Sequence, residues 1–444
     1  MTSSRESADV LVVGGGVIGL SVAWRAAQRG MSVTLLERDT IGGGTSRVAA
    51  GMLAPVAEAE FGDAGRRLLE LGLRSADMWP AFAQELQAAS AQQVGLLRTG
   101  TLLLARDADE ARELERQIAF RDSLGLATNR LRASQARERE PALAPTVRLA
   151  LEAPDDHSVD PRLVLAALRA ACRSAGVRLR EHAPVAEVES DAAGERVTGV
   201  RLGEPSRQEA ADGGEGRAPR GAESIAAERV VIASGAWSAQ IDGAGERLAV
   251  RPVRGQLLRL RDPAGPGLLS SVVRFAGGYL VPRADGRYVL GATVEERGFD
   301  VQPDAGGVYE LLRAAQEVVP GVRELKIEEL CVGLRPGTPD NAPTIGAGAL
   351  RGLTWATGHH RNGILLAPLT AQLVCRALAG EQQGDDAAMA ACDPRRFAAR
   401  DASPAPPAGA TARGEAPSAP AGVTTASEAP ATPAGAAATG AVVS

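Results

Sequence analysis

Apolar and polar residues alternate with strand and helix periodicities from the beginning of the chain. The apolar run 10–13 is typical of a buried strand, and the alanine-rich segment that follows it has helical spacing and ends near Gly30. A second apolar run, 33–36, has strand character. A strand, a helix and a second strand in this order predict a βαβ unit at the N-terminus.

The rest of the chain mixes helical and strand-like segments. Helical periodicity covers 66–89, 108–124, 161–175, 304–319 and 364–379. Pro80 is expected to break or kink the first of these helices. Strand-like segments are 94–105, 177–189, 195–202, 225–237, 248–260, 272–282, 288–293, 326–332 and 353–358. The polar stretch 203–223 is predicted to be a disordered insertion, and the Ala/Pro-rich tail 394–444 is too poor in large apolar residues to fold.

A glycine motif connects the first strand to the first helix. The sequence GGGVIG at 14–19 would bind a dinucleotide through a tight turn at Gly14, close backbone approach at Gly16, and close helix–strand packing at Gly19. The phosphates would lie at the N-terminus of the helix. Glu37, at the end of the second strand, can accept hydrogen bonds from a ribose diol and would repel the 2′-phosphate of NADP.

Composition and charge narrow the class of protein. The chain has 444 residues, 45% of them apolar, which is enough for two domains or one two-lobed unit. A net charge of −5 predicts neither nucleic acid nor an anionic membrane as a partner. We see no secretory signal and no apolar run of about 18 residues, so a cytoplasmic protein is expected. The four cysteines form no C-x-x-C pattern and no residues have metal-ligand spacing, so no metal is expected.

Further motifs follow the glycine motif in a fixed order. They are AGML at 50–53, ASGAW at 233–237, GYLVPR at 278–283, GAT at 291–293, GLRPGT at 333–338 and GHHRNGIL at 358–365. Together they resemble the D-amino-acid-oxidase-like FAD oxidoreductases over about residues 8–393, and within that family they are similar to the glycine oxidases of thiamine biosynthesis. The last two motifs are specific to this subgroup.

The resemblance implies an α/β fold with an α+β substrate lobe. A Rossmann-like FAD-binding domain would be built from the discontinuous segments 1–89, 154–249 and 331–393, and a mixed β-sheet substrate-binding domain from 90–153 and 250–330. Members of this family are commonly homotetramers, so the same assembly is expected here.

FAD is the cofactor that the resemblance implies, bound without a covalent link. The expected contacts are Gly14, Gly16, Val17, Ile18, Gly19, Glu37, Arg38, Thr45, Ser46, Ala50, Gly51, Met52, the backbone of Val185, and His359, His360, Arg361, Asn362, Gly363, Ile364 and Leu365. Related sarcosine oxidases bond FAD through a cysteine, but Cys331 does not align with that attachment site without a gap.

Three residues are expected at the substrate. Arg335 can bind a carboxylate through two parallel hydrogen bonds, and Tyr279 can offer its hydroxyl to the same group. For Arg361 two roles remain open: its charge could face the flavin N1 and C2 carbonyl region together with the dipole of the following helix, or it could contact the substrate. His359 and His360 are expected to be structural, because hydride transfer from a neutral amine needs no dedicated base.

These residues predict an amino-acid oxidase, most simply a glycine oxidase. Glycine, dioxygen and water would give glyoxylate, ammonia and hydrogen peroxide, and the imine would feed thiazole formation. Gly277 and Val294 stand where relatives can carry bulkier residues, so a sarcosine or small D-amino-acid oxidase or dehydrogenase is an alternative. A non-catalytic FAD-binding subunit of an oxidase complex is a second alternative, although such a subunit would have no physical need for Arg335 and Tyr279.

Overall fold

The computed structural model describes residues 7–203, 223–381 and 390–397. Residues 204–222 and 398–444, the greater part of the predicted insertion and tail, lie outside the described residues.

Helices and strands alternate along most of the described chain. The helices are α1 (Val17–Gln28), α2 (Thr45–Val48), α3 (Gly62–Ser90), α4 (Ala108–Ser123), α5 (Ala133–Arg139), α6 (Pro161–Ser174), α7 (Ala305–Val318) and α8 (Ala367–Leu378). The strands are β1 (Ser7–Val13), β2 (Val33–Leu36), β3 (Met52–Leu53), β4 (Thr101–Ala105), β5 (Asn129–Arg132), β6 (Leu149–Ala153), β7 (His157–Ser158), β8 (Arg178–Arg180), β9 (Val185–Ser190), β10 (Val197–Leu202), β11 (Ser224–Ile232), β12 (Arg251–Arg261), β13 (Val272–Phe275), β14 (Gly278–Pro282), β15 (Arg287–Gly291), β16 (Lys326–Gly337), β17 (Thr344–Ala347) and β18 (Leu353–Thr357).

The first sheet contains the predicted βαβ unit. Its strand order is β17-β18-β11-β1-β2-β8, and the antiparallel hairpin of β9 and β10 joins it at β11. The pairs from β18 to β8 are parallel. Alternate residues of β1 point to opposite faces, so Val10 and Val12 enter the core shared with α1, α3, α6 and α8, whereas Leu11 and Val13 pack towards β9 and β10.

The second sheet is mixed, as predicted. Its order is β16-β12-β15-β14-β13-β4-β6-β5, and all of its pairs are antiparallel except β13 with β4. Helix α7 covers one face through Leu311 and Ala315, and α4 packs through Leu114 and Ile118 near β4 and β6. The α/β fold with a Rossmann-like sheet and a mixed β-sheet lobe is therefore confirmed. Because β16 pairs with β12 along its whole length, the segment boundary predicted at residue 331 falls inside a strand; the division into domains stays a prediction.

Helix α3 corrects one prediction. It runs through Pro80 without a break, from Gly62 to Ser90. Trp79 and Phe82, on either side of Pro80, are buried and stack edge to face with their ring centroids 5.3 Å apart. Trp79 Nε1 also donates to the carbonyl of Leu365 over 2.9 Å. Burial of two aromatic rings outweighs the penalty of about 3 kcal/mol that proline carries inside a helix.

Two other helix boundaries follow from local capping. Asp160 Oδ1 accepts the Arg162 amide at the start of α6, and Gly176 adopts a φ of +79° after its end, as the sequence predicts. Helix α8 begins at Ala367, later than predicted, because the preceding residues form a turn in which the Asn362 amide donates to the His359 carbonyl. None of the helices in the described ranges is long and apolar enough to cross a membrane.

Candidate active site

A cavity of about 1030 Å³ receives residues from both sheets. Residues at the carboxyl ends of β1, β2, β11 and β18 line one part of it, and residues of β12, β14 and β16 line another. In open α/β sheets ligands bind outside the carboxyl ends of the strands. The cavity is therefore in the position expected for a nucleotide, and it extends to the second sheet.

The glycine motif forms the turn at the edge of the cavity. Gly14 has a φ of +107°, and a Cβ at this position would lie 2.5 Å from the carbonyl oxygen of Ala233. A Cβ at Gly19 would lie 1.9 Å from the carbonyl oxygen of Gly14. Gly14 and Gly16 line the cavity, whereas Gly19 lies behind them and allows α1 to pack against the turn.

The N-terminus of α1 presents main-chain donors to the cavity. The Val17 amide donates to Ser46 Oγ over 3.0 Å. The amides of Gly16 and Ile18 have no acceptor within the described part of the chain. Unpaired amides and the positive end of the helix dipole favour an anion here.

Glu37 and Arg38 lie at the neighbouring edge of the cavity. The two carboxylate oxygens of Glu37 accept the amides of Gly15, over 2.6 Å, and Asp39, over 3.0 Å, which fixes the end of β2 to the glycine turn. The Arg38 guanidinium lies 3.7 Å from the centroid of the Trp237 ring. The hydrogen bond of Glu37 to a ribose stays a prediction.

The other predicted cofactor residues also line the cavity. They are Val17, Ile18, Thr45, Ser46, Ala50, Gly51, Met52, Val185, and all residues from His359 to Leu365. The amides of Gly363, Ile364 and Leu365 have no acceptor among the described residues. Cys331 does not line the cavity: it is buried in an apolar cluster with Leu257 and Val289.

Arg335 and Tyr279 meet at the wall formed by the second sheet. Arg335 Nη1 donates to the carbonyl oxygens of Arg254, over 3.2 Å, and Thr293, over 3.1 Å. Arg335 has no ion pair with any carboxylate of the described chain. A Cβ at Gly255 would lie 2.2 Å from Arg335 Nη1, so only glycine leaves room for the guanidinium.

Tyr279 is a protonated donor beside this guanidinium. Burial raises the pKa of Tyr279 above its ordinary value, although a hydrogen bond with Arg335 and the Arg335 charge lower it in part. The phenol ring lies against Gly291, where a Cβ would be 2.7 Å from the hydroxyl oxygen. The hydroxyl therefore keeps its proton at neutral pH and can donate to an anionic ligand.

Arg361 is paired with two carboxylates that the sequence analysis did not single out. Its Nε donates to Glu58 Oε2 over 3.0 Å, and its Nη2 donates to Glu60. Burial opposes protonation, but Glu58 and Glu60 together raise the pKa of Arg361. Glu58 also lies 3.1 Å from Arg274 Nη1, and both Glu58 and Arg274 line the cavity. These contacts test neither of the two roles predicted for Arg361, which remain predictions.

The histidines have the character expected of structural residues. His359 is buried and its Nε2 lies 2.9 Å from Thr370 Oγ1. Burial lowers the pKa of His359 to about 3, and burial together with Arg335 and Arg361 lowers the pKa of His360 to about 4. Both imidazoles are therefore neutral at physiological pH. Within the described ranges no group of His, Cys, Asp and Glu could hold a metal ion.

Comparison with known proteins identifies the family. The pattern of the DAO family, described as FAD dependent oxidoreductase, matches residues 9–377. The chain belongs to this family. It is 37% identical to the glycine oxidase of Geobacillus kaustophilus over 82% of this chain and 91% of that protein. It is 31% identical to the glycine oxidase of Bacillus subtilis over 85% of this chain and 95% of that protein.

Solved structures agree with this family assignment. The crystal structure of glycine oxidase from Geobacillus kaustophilus superposes with a TM-score of 0.77 at 36% identity, covering 88% of this chain and 99% of that one. The structure of iminodiacetate oxidase from Chelativorans superposes with a TM-score of 0.72 at 27% identity, covering 85% of this chain and 97% of that one.

The cavity of this FAD-dependent oxidoreductase fits its cofactor. The glycine turn, which a Cβ would fill, and the unpaired amides of Gly16 and Ile18 suit a pyrophosphate. The unpaired amides of 363–365, just before α8, are donors suited to a carbonyl oxygen of the flavin ring. The residues that would hold FAD are therefore those predicted from the sequence, with Gly19 supporting the turn from behind.

Proposed function

We propose that this chain is a glycine oxidase that binds the carboxylate of its substrate at Arg335 and Tyr279. The observation that carries the proposal is the state of Arg335: its guanidinium lines the cavity, bonds only to main-chain carbonyls and the Tyr279 hydroxyl, and has no carboxylate partner within the described chain. A buried cation of this kind attracts an anionic ligand strongly.

The residues around Arg335 orient the substrate. The carbonyls of Arg254 and Thr293 hold the guanidinium in one orientation, so its remaining N–H groups can form a bidentate pair with a carboxylate. Tyr279 donates a further hydrogen bond and its ring forms a wall of the cavity. When bound, FAD supplies the acceptor for the hydride from the substrate Cα and is reoxidised by dioxygen, which gives hydrogen peroxide.

A dedicated general base is not part of the proposal. The His359 ring bonds to Thr370, and His360 is neutral with a positive φ of +47° that is fixed by its amide bond to the Pro336 carbonyl. Glycine would enter reaction with a neutral amine, and its oxidation gives an imine that hydrolyses to glyoxylate and ammonia.

Relatives support the assignment and its metabolic setting. The glycine oxidases named above are similar over nearly their whole length. The chain is also 34% identical to 51% of the bifunctional protein ThiO/ThiG of Synechocystis. This similarity supports a role for the imine product in thiazole formation during thiamine biosynthesis.

Two cavity residues favour a second group of substrates. Gly277 and Val294 line the cavity, and Val294 is 72% exposed. Small side chains here leave room for an N-methyl group or a small D side chain, so sarcosine and small D-amino acids are the alternative substrates. We also propose non-covalent FAD, since no cysteine of the described chain lines the cavity, together with a cytoplasmic location without membrane association and a homotetrameric assembly.

Anaerobic mixing of the FAD-loaded protein with glycine tests the proposal. Glycine should bleach the flavin absorbance, and air should restore it with formation of hydrogen peroxide. Parallel reactions with sarcosine, D-alanine and D-proline rank the alternatives. A flavin that glycine does not bleach would contradict the assignment.

A further inference from the structure

A short segment between β3 and α3 is held by two buried charges of opposite sign. The amides of Val56 and Ala57 donate to the Asp156 carboxylate over 3.1 and 2.5 Å. The carbonyl oxygens of the same two residues accept from Arg121, at 2.9 Å from Nε and 3.0 Å from Nη2. Arg121 Nη2 also lies 3.4 Å from the carbonyl oxygen of Ala59. Both peptide edges of this segment are therefore fixed.

Asp156 and Arg121 bind the segment from outside the cavity. Asp156 is fully buried and Arg121 is 1% exposed, and neither lines the cavity. They form no direct ion pair with each other among the described contacts, so each charge is compensated by main-chain dipoles. Isolated charges are costly to bury, and here both hold the same two peptides.

The next residue of the segment, Glu58, faces the cavity. It compensates two guanidinium groups at once: Arg274 at 3.1 Å and Arg361 at 3.0 Å. Its carboxylate is 12% exposed and lies near enough to Tyr279 to affect the pKa of that hydroxyl. Without Glu58, both guanidinium groups would compete with Arg335 for an anionic ligand.

We propose that Asp156 and Arg121 are positioning residues that hold Glu58 against Arg274 and Arg361, so that Arg335 is the cation to which a substrate carboxylate binds. The inference rests on the proposed function in taking the cavity as the substrate site. Glu58 thus prevents non-productive binding, in which the carboxylate lies on Arg361 or Arg274 and the substrate Cα is misplaced.

Non-productive binding has a distinctive kinetic signature. It lowers kcat and KM by the same factor and leaves kcat/KM unchanged, because productive and non-productive complexes compete for the same free enzyme. Asp156→Asn places an NH₂ group against one of the two amides and should release Glu58. We expect kcat and KM for glycine both to fall about tenfold. The dissociation constant of acetate, measured from the flavin absorbance, should decrease.

Glu58→Gln tests the link directly and does not depend on the buried pair. It should reproduce the kinetic change of Asp156→Asn, and the double variant should show no further change, because both act through one contact. Measurements at about pH 8.5 keep the pair charged: burial raises the pKa of Asp156 to about 7, although the two amides oppose it, and burial lowers the pKa of Arg121 to about 10.

Glu140 provides a matched control. It is a buried carboxylate that accepts the amides of Ser270, over 3.1 Å, and Ser271, over 2.6 Å, and it does not line the cavity. Glu140→Gln should lower the melting temperature without changing kcat or KM.

The inference is overturned if Glu58→Gln and Asp156→Asn leave kcat, KM and acetate affinity at the parent values, or if kcat/KM falls without a decrease in KM. If Asp156→Asn does not fold, Glu58→Gln alone decides. A parent protein that glycine cannot reduce would contradict the proposed function, whereas the acetate titration would still test the role of Glu58.

Discussion

Two arginines face the same cavity with different partners. Arg335 bonds to neutral groups, the carbonyls of Arg254 and Thr293 and the Tyr279 hydroxyl, whereas Arg361 bonds to Glu58 and Glu60. Neutral acceptors orient a guanidinium but leave its charge uncompensated, and carboxylates do both. The difference shows that the placement of carboxylates, more than the placement of arginines, decides where an anionic substrate binds.

Removal of Arg335 should have the largest effect. Arg335→Ala takes away a charged and bidentate partner of the substrate, which is worth about 3 kcal/mol or more, so kcat/KM for glycine should fall at least about 100-fold. Arg335→Lys keeps the charge but not the planar fork, and should recover only part of the loss. Steady-state kinetics of the two variants measure this, and parent-like values for Arg335→Ala would refute the site assignment.

Loss of the Tyr279 hydroxyl should have a smaller effect. Tyr279→Phe removes one hydrogen bond, worth about 1 kcal/mol, while the ring still forms the wall of the cavity. We expect kcat/KM for glycine to fall about fivefold, with the affinity for FAD unchanged. A flavin titration of the apoprotein serves as the control, and weakened FAD binding would show that Tyr279 supports the cofactor instead.

Removal of Arg361 should matter less than either change. Arg361→Ala deletes a charge that Glu58 and Glu60 already compensate, and Glu58 keeps its contact with Arg274. We expect kcat/KM for glycine to change by less than about threefold. The comparison with Arg335→Ala is decisive, because equal losses in the two variants would mean that both arginines bind the substrate.

Replacement of His360 should have the smallest effect. His360→Asn suits the positive φ at this position and removes an imidazole that is neutral above about pH 5. Activity should stay within about twofold of the parent, and the pH profile between about pH 6 and 9 should keep its shape. A limb of the pH profile that disappears in this variant would identify His360 as an acid or base.

The buried histidines also predict how stability depends on pH. The pKa values of His359 and His360, about 3 and about 4, lie below the ordinary value of 6.5, so the unfolded chain takes up protons at these positions before the folded chain does. Their contribution to stability is therefore constant above about pH 6.5 and decreases as the pH falls towards 4.

Local sequence signals predicted the parts of the molecule that depend on short-range geometry. The glycine turn requires Gly14 and Gly19 for steric reasons, and the predicted cap at Asp160 is present. The continuous helix through Pro80 depends on aromatic packing between distant segments, which helical periodicity does not contain.

The candidate site divides in the same way. Arg335 lies in a motif, whereas the partners of Arg361 do not: Glu58 and Arg274 are more than 200 positions apart and meet only through the fold. The pair of acidic residues at 58 and 60, soon after a segment rich in small residues, was the available signal. Asp156 and Arg121 gave no signal, because their partners are main-chain groups.

A crystal structure of the FAD-loaded protein with glycolate bound tests the central claim most directly. Glycolate carries the carboxylate of glycine with a hydroxyl in place of the amine. The account predicts its carboxylate within hydrogen-bond distance of the Arg335 guanidinium and the Tyr279 hydroxyl, with Glu58 still bonded to Arg361. A carboxylate bound to Arg361, with Glu58 displaced and Arg335 free of ligand, would contradict it.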